Sequence, residues 1–410
     1  MRQVIETNWT PCPCDVCGTE PGALQLLGER SERIAQKNHD YLWRHEDVQC
    51  PECGFVFNRL RPEPRFLRAH YSDCWPIAST SVAIAPDYDI ALRLEVLRRW
   101  LPPKARVYEI GDKLGEFHAA LTGAGYEVAG DDVMAEANER AGWLAGLFSR
   151  EQAAEPPPAM RAAFDAVLAY FVVEHLANPR QWLRSIRSLL RPDGLLVIEV
   201  PHFARHPREA LMHEHFLYLT PASLGVLLAE AGFEVAASSE NGASRAFGFN
   251  IAARRVEGRR SPDRGLLATQ AAELRASYRR GREQLDAATG NLAATARLAA
   301  EAALAQPPVR ICFFGANQTA TEIAAHLRPL LAPGRVPVLA FDNADVKTGT
   351  ALEGFREPVQ KPVASAFDPA MLHVCIISSR GWTEAIAEQI RGFRLPRVVL
   401  LDGAGARRLD

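Results

Sequence analysis

The sequence predicts an α/β protein: a doubly wound sheet domain between a cysteine-knuckle module and a second α/β unit. Three observations carry this reading. From residue 105 to 256, strand-like apolar runs alternate with helical patterns, the order expected of a doubly wound sheet. The same alternation restarts at Val309. Ahead of both, Cys14-Asp-Val-Cys17-Gly and Cys50-Pro-Glu-Cys53-Gly repeat one short motif. At 410 residues the chain exceeds a single core, so several domains are expected. The boundaries read as 1–75 for the cysteine module, 76–256 for the sheet domain, 257–308 for a helical linker and 309–410 for the final unit.

Composition narrows the function classes. A net charge of −2, a pI near 6.6 and the lack of a Lys/Arg block argue against nucleic acid or a membrane surface as partner. The first ten residues have no apolar signal core, and no apolar run approaches membrane length. A cytoplasmic protein with reduced thiols, monomeric or homodimeric, is the expectation.

Five of the eight cysteines lie within the first 53 residues, a local cluster and not a disulfide framework. In each knuckle the glycine after the second cysteine lets the backbone turn its amides toward thiolates. Cys14, Cys17, Cys50 and Cys53 therefore make a candidate four-sulfur structural zinc site. Such a site has no open position and performs no chemistry. Cys12 is a fifth thiol, either a substitute for Cys14 or a bystander.

Between 60 and 100, Pro62 and Pro64 break the chain, and a polar, aromatic segment from His70 to Trp75 precedes a helix near Asp87–Trp100. Strands are then expected at 105–111, 126–132, 164–171, 195–200 and 247–254, with helices at 112–123 and 180–190. Ligands of such sheets bind beyond the carboxyl ends of the strands. Those ends carry Gly111, Asp132, the run Tyr170 to His175, and Pro201-His202. Glu109-Ile-Gly111, with Gly115 following, is a glycine turn that lets a nucleoside or amino-acid moiety approach the backbone, and Asp132, next to Asp131, is placed to take ribose hydroxyls.

Residues 211–233 carry the densest chemistry. Thr220 can cap a helix that Pro221 opens, Leu224, Leu227, Leu228 and Ala231 form its apolar stripe, and Gly232 stops it. Just before the cap stand His213, Glu214, His215 and Tyr218, four proton-sharing groups fixed to a rigid element. Beyond the sheet, Leu267, Leu274, Tyr278, Leu285 and Leu292 keep a rough seven-residue register, interrupted by Gly281 and Gly290, as in a docked or paired long helix. The final unit has strands near 309–315, 336–342, 372–378 and 397–402, and its first turn has one glycine where a dinucleotide fingerprint has three.

On these residues the chain resembles the sugar C-methyltransferases of deoxysugar biosynthesis, a branch of the class I S-adenosylmethionine-dependent methyltransferases. The resemblance covers nearly the whole chain and implies a zinc-binding N-terminal module, a class I methyltransferase core and a C-terminal Rossmann-like domain. It implies S-adenosylmethionine as cofactor, with contacts at Glu109, Gly111, Gly115, Asp132 and the strand end at Tyr170. Its post-strand histidine matches His175, its Glu-His pair matches Glu214-His215, and Tyr218-Leu-Thr220 follows. Its tyrosine between the zinc module and the core matches Tyr71. The chain departs from the family at Lys113-Leu114 and at Met212, where a tyrosine is usual. The segment 342–349 resembles the loop of the C-terminal domain that helps shape the site for a nucleotide-linked sugar.

The implied reaction is methylation of a carbon alpha to the ketone of a nucleotide-linked keto-deoxysugar through an enolate. A base with a pKa near neutrality suits it, so His215 is expected as base or proton shuttle and Glu214 as its orienting partner. His175 is expected at the acceptor or developing oxyanion, with Tyr71 or Tyr218 donating a hydrogen bond. The rival readings are an O- or N-methyltransferase of a natural-product pathway and a non-catalytic binding or scaffold protein with the same fold. A dehydrogenase using the C-terminal unit is disfavoured by its single glycine.

Overall fold

A computed structural model describes residues 3–409 apart from 37, 74–85, 112–115, 132–155, 241–246, 258–263, 332–335, 344–346, 353–354 and 380–382. Its described residues up to Arg282 form one compact unit and those from Glu283 a second. Among the described residues no helix is long and apolar enough to cross a membrane.

The first unit begins with β1 (Val4–Ile5), β2 (Trp9–Pro11), β3 (Gln25–Ala35), β4 (Asp40–Gln49), β5 (Val56–Asn58), β6 (Leu60–Pro62) and α1 (Pro64–Asp73). The long insert between the cysteine knuckles is the antiparallel β3–β4 hairpin, and β4 also pairs with β1 and, at its far end, with β5. Alternation along β4 turns Tyr41, Trp43, His45 and Asp47 to one face, and all four are buried. Pro64, expected as a breaker, instead opens α1, where a missing N–H costs nothing. Asp73 at the end of α1 accepts the N–H groups of Asn38 and His39, each at 2.8 Å, and so pins the helix to the β3–β4 turn.

The sheet domain follows with α2 (Pro86–Arg98), β7 (Arg106–Ile110), α3 (Glu116–Gly123), β8 (Glu127–Asp131), β9 (Phe164–Tyr170), α4 (Pro179–Leu189) and β10 (Leu190–Pro201). It continues with α5 (Pro207–Ala210), α6 (Pro221–Glu230), β11 (Phe233–Ser239) and β12 (Gly248–Arg255). The strand order is β11-β12-β10-β9-β7-β8. Strands β8, β7, β9 and β10 run parallel, and β12 and β11 close the other edge antiparallel. The sequence pattern omitted β11, which is largely exposed and rich in small and polar residues, so it carries little apolar signal. Helix α6 starts and stops as its residues dictate: Thr220 and Ser223 cap each other, and Gly232 ends it at φ +83°.

Helices α7 (Arg264–Thr269) and α8 (Ala271–Ala305) occupy the segment read as a helical linker. The part of α8 before Arg282 lies along β4. Ala271 O accepts from Gln49 Nε2 at 2.7 Å, and Tyr278 Oη donates to Asp47 at 3.0 Å. Asp47 also accepts from Tyr218 and faces Arg30 Nε at 3.4 Å, so one buried carboxylate joins β3, β4, the segment before α6, and α8. Gly281, read as a break in the register, is a point of close approach: a Cβ there would lie 2.7 Å from Leu211 Cδ1 and 3.1 Å from the Pro207 carbonyl carbon.

The second unit holds the rest of α8 and then β13 (Val309–Phe314), α9 (Gln318–Leu327), β14 (Val338–Phe341), β15 (Leu372–Ile377), α10 (Thr383–Gly392), β16 (Val398–Asp402) and β17 (Arg407–Arg408). The order is β14-β13-β15-β16-β17, parallel except for β17. Gly315 takes φ +100° in the first turn, and Asp342 at the end of β14 accepts from Ala316 N at 2.8 Å and Lys347 Nζ at 3.2 Å.

Two substitutions test this packing. Gly281→Leu should cost about 1–3 kcal/mol of stability by overpacking against α5, read as a lower urea midpoint. Asp47→Ala should cost about 3–5 kcal/mol, because it leaves the buried Tyr218 and Tyr278 hydroxyls without their acceptor and the buried Arg30 with Glu32 as its remaining carboxylate.

Candidate active site and cysteine centre

The two knuckles fold alike. Gly18 N–H donates to Cys14 O at 2.8 Å and Gly54 N–H to Cys50 O at 2.9 Å, and both glycines have positive φ. The Sγ atoms of Cys14, Cys17, Cys50 and Cys53 all lie within 4.8 Å of one another, with Cys14–Cys53 at 3.7 Å and Cys17–Cys50 at 3.4 Å. A tetrahedral zinc ion with Zn–S bonds of about 2.3 Å needs sulfurs about 3.8 Å apart, so the donor set fits. Cys12 is buried outside this group.

Helix α1 brings the histidine cluster together. Its last turn offers His70 and Tyr71, consecutive residues that reach Glu214 and His175 respectively. His70 Nε2 lies 2.6 Å from Glu214 Oε1, and His213 Nε2 lies 3.7 Å from the same oxygen. The Trp43 ring packs edge-on to both imidazoles, with centroids 5.0 and 5.6 Å away. Tyr71 Oη is 3.1 Å from His175 Nδ1, which is also 3.1 Å from Glu214 O. A main-chain carbonyl only accepts, so Nδ1 of His175 carries the hydrogen. His215 Nδ1 likewise donates to Ala210 O at 3.1 Å, leaving its Nε2 with a lone pair. The His175 and His215 rings meet edge to face, with centroids 4.8 Å apart.

Main-chain bonds hold this segment from both sides. Phe216 O accepts from Asn58 N at 2.9 Å, and Phe216 N donates to Glu174 O at 2.8 Å. Arg61, buried above the Phe216 ring, bonds Asp15 of the first knuckle at 2.7 Å and Ala177 O at 3.2 Å. The cysteine module therefore positions the catalytic candidates.

The electrostatics separate the groups. Burial pushes the His215 pKa well below the usual histidine range, and the nearby His175 adds to this, so the imidazole is neutral. Burial works against a charge on Glu214, but His213 and His70 overcome it and hold the carboxyl well below its usual range.

Expected site residues thus divide. Tyr71, His175, Glu214 and His215 come together. Tyr218 is fully buried elsewhere, donating to Asp47 and taking a 3.4 Å hydrogen bond from Arg30. The sequence reading assigned no role to His70, although its position beside Tyr71 on one helix was the available signal. Glu109, Gly111 and Tyr170 lie at neighbouring strand ends, and Gly115, Asp132, Lys113 and Leu114 fall outside the described residues. Gly111, at φ +85°, has Val172 Cγ2 only 2.9 Å from where a Cβ would stand, so the turn requires glycine. Tyr170 packs under the Arg93 guanidinium, 4.1 Å from its ring centre, and edge-on to Phe117.

Comparison with known proteins agrees with this architecture. Residues 85–238 match the family described as a methyltransferase domain, so the chain carries such a domain and its mixed sheet has the methyltransferase fold. It is similar to the C-methyltransferase NovU of Streptomyces niveus, 26% identical over 226 residues, covering 53% of this chain and 52% of that protein. It is also similar to the ubiquinone biosynthesis O-methyltransferase of Cereibacter sphaeroides, 28% identical over 151 residues, 32% of this chain and 60% of that protein. The chain thus spans little more than half the length of these relatives. Among solved structures, the Burkholderia thailandensis 1,6-didemethyltoxoflavin-N1-methyltransferase aligns over 56% of this chain and all of its own, at 19% identity and a TM-score of 0.36.

Replacing Cys50 with Ser should lower bound zinc below one equivalent by elemental analysis and lower the thermal midpoint, since a structural four-thiolate site contributes folding energy. Full zinc retention would exclude Cys50 as a ligand.

Proposed function

We propose that the protein is an S-adenosylmethionine-dependent C-methyltransferase acting on a carbon alpha to a ketone, with a nucleotide-linked keto-deoxysugar as the acceptor class. The observation that carries this is His215: a buried, neutral imidazole with Nδ1–H fixed on Ala210 O and Nε2 left basic. A hydroxyl acceptor also gives up a proton but has a lone pair with which to attack, whereas a carbon acceptor must lose its proton to a base before it has an electron pair to offer. The likeness to NovU over 226 residues, beyond the 85–238 domain, supports the carbon reading.

The cofactor suits the glycine turn at Gly111, where a Cβ would crowd Val172. When bound it supplies an electrophilic methyl group on a sulfonium centre. Glu109, Gly111 and Tyr170, with Gly115 and Asp132, are its contacts in this reading. His215 Nε2 takes the α-proton, and the carbon left with the electron pair accepts the methyl group. Glu214, held anionic by His70, anchors the loop, and its carbonyl fixes His175. His175 and Tyr71 line the acceptor side. Zinc on Cys14, Cys17, Cys50 and Cys53 is structural.

The test is exchange of the acceptor's α-hydrogen in deuterated water with S-adenosylhomocysteine present, which isolates proton removal from methyl transfer. His215→Asn should reduce both exchange and methylation by at least about 10²-fold while S-adenosylhomocysteine still binds by calorimetry. Undiminished exchange would remove His215 as base. Because its pKa is depressed, the acid limb of the rate profile should lie below the ordinary histidine value of about 6.5.

A further inference from the structure

Glu174 lies in the turn after β9, beside the histidines, and has no part in the mechanism above. Only 1% of its surface is exposed, and among the described residues neither carboxyl oxygen has a hydrogen-bond partner on another residue. Its own main-chain N–H is the one donor that favours the charged form. The N–H groups of Phe216 and Leu217 bond to its main-chain carbonyl, at 2.8 and 3.2 Å, and leave the side chain unserved. Its Oε1 lies 3.9 Å from His175 Nε2, and the proton-binding atoms of Glu174, His175 and His215 are all within 4.8 Å of one another.

The neighbours cannot satisfy a carboxylate. His215 is neutral and directs Nδ1–H to a main-chain carbonyl, so its Nε2 has no hydrogen to offer, and His175 Nε2 stands 3.9 Å from Oε1, beyond hydrogen-bond distance. Two carboxylates, Glu199 of β10 and Glu214 of the facing loop, disfavour a charge on Glu174. An isolated buried carboxylate costs several kcal/mol, and protonation removes that cost. Burial, with Glu199 and Glu214 adding to it, pushes the Glu174 pKa up to about 8.

We infer that Glu174 is a catalytic acid: a neutral carboxyl whose O–H donates to the carbonyl oxygen of the acceptor as His215 removes the α-proton. The inference rests on the carbon-acid reading and adds to His175 and Tyr71 a neutral acid as donor for the oxygen on which charge develops. The α C–H bond breaks, its proton goes to His215 Nε2, and its electron pair forms the enolate. The hydrogen bond from Glu174 stabilises the enolate oxygen. As the carbon takes the methyl group, the carbonyl re-forms and the hydrogen stays on Glu174. His215 then returns its proton to solvent. A carboxylic acid kept neutral by an apolar site is a strong donor to such an oxyanion.

The experiment uses the full-length, zinc-loaded protein and a nucleoside diphosphate-linked 4-keto-6-deoxyglucose as probe. Exchange of its α-hydrogen is followed with S-adenosylhomocysteine bound. Glu174→Leu, which cannot donate, should lower exchange by about 10²–10³-fold, with S-adenosylhomocysteine affinity unchanged. Glu174→Gln keeps a donor and should retain exchange within about tenfold of wild type. Wild-type exchange should fall as pH rises through about 8, where Glu174 loses its proton, and Glu174→Gln should lack that limb. A Leu variant as fast as wild type, or an alkaline limb that survives in the Gln variant, would overturn the inference. The Gln profile decides the matter even if the Leu variant does not fold. Exchange missing from the wild type itself would instead reject the carbon-acid reading, and this inference with it.

Discussion

The site depends on the clamping of one short segment. Residues 213–219 have no regular secondary structure of their own, yet their main chain is bonded on one side to Asn58 of the cysteine module and on the other to Glu174. Buried main-chain groups must be paired, so this segment can take its position only when both neighbours are in place. The cysteine module is therefore more than an appendage. Its knuckles fix β5 and Arg61, these fix Phe216, and Phe216 follows Glu214 and His215 directly. Helix α1, pinned by Asp73, completes the enclosure by delivering His70 and Tyr71.

The enclosure then sets the protonation of each group. Two glutamates within one buried region meet opposite outcomes. Glu214 has His70 at 2.6 Å and stays charged, whereas Glu174 has no side-chain donor among the described residues and burial holds it toward its protonated form. His215 is neutral for the same reason that Glu174 is: burial disfavours whichever form carries charge. A neutral base and a neutral acid thus stand side by side, the pair on which the carbon-acid proposal rests.

Much of this was legible in the sequence. The knuckle spacing predicted the four-sulfur cluster, because glycine after the second cysteine is a local requirement of the turn. Thr220, Pro221 and Gly232 marked the ends of α6, again through local geometry. What the sequence could not display were pairings set by tertiary structure. His70 is 144 positions from Glu214, and nothing in spacing links them. Tyr218 has the residue type of a catalytic donor, but burial against Asp47 makes it a structural tie between β4 and the loop. Glu174 was visible in a short motif, yet its meaning lies in what fails to reach it. The edge strand β11 escaped notice because half-exposed strands lack an apolar run.

The central claim is that the methyl group is delivered to carbon. The most direct measurement is nuclear magnetic resonance of the product formed from S-adenosylmethionine carrying a carbon-13 methyl and a keto-sugar nucleotide labelled with carbon-13 in the ring. The account predicts a one-bond carbon–carbon coupling between the new methyl and the ring position alpha to the ketone. A methyl signal without that coupling, at the shift of a methoxy group, would contradict it.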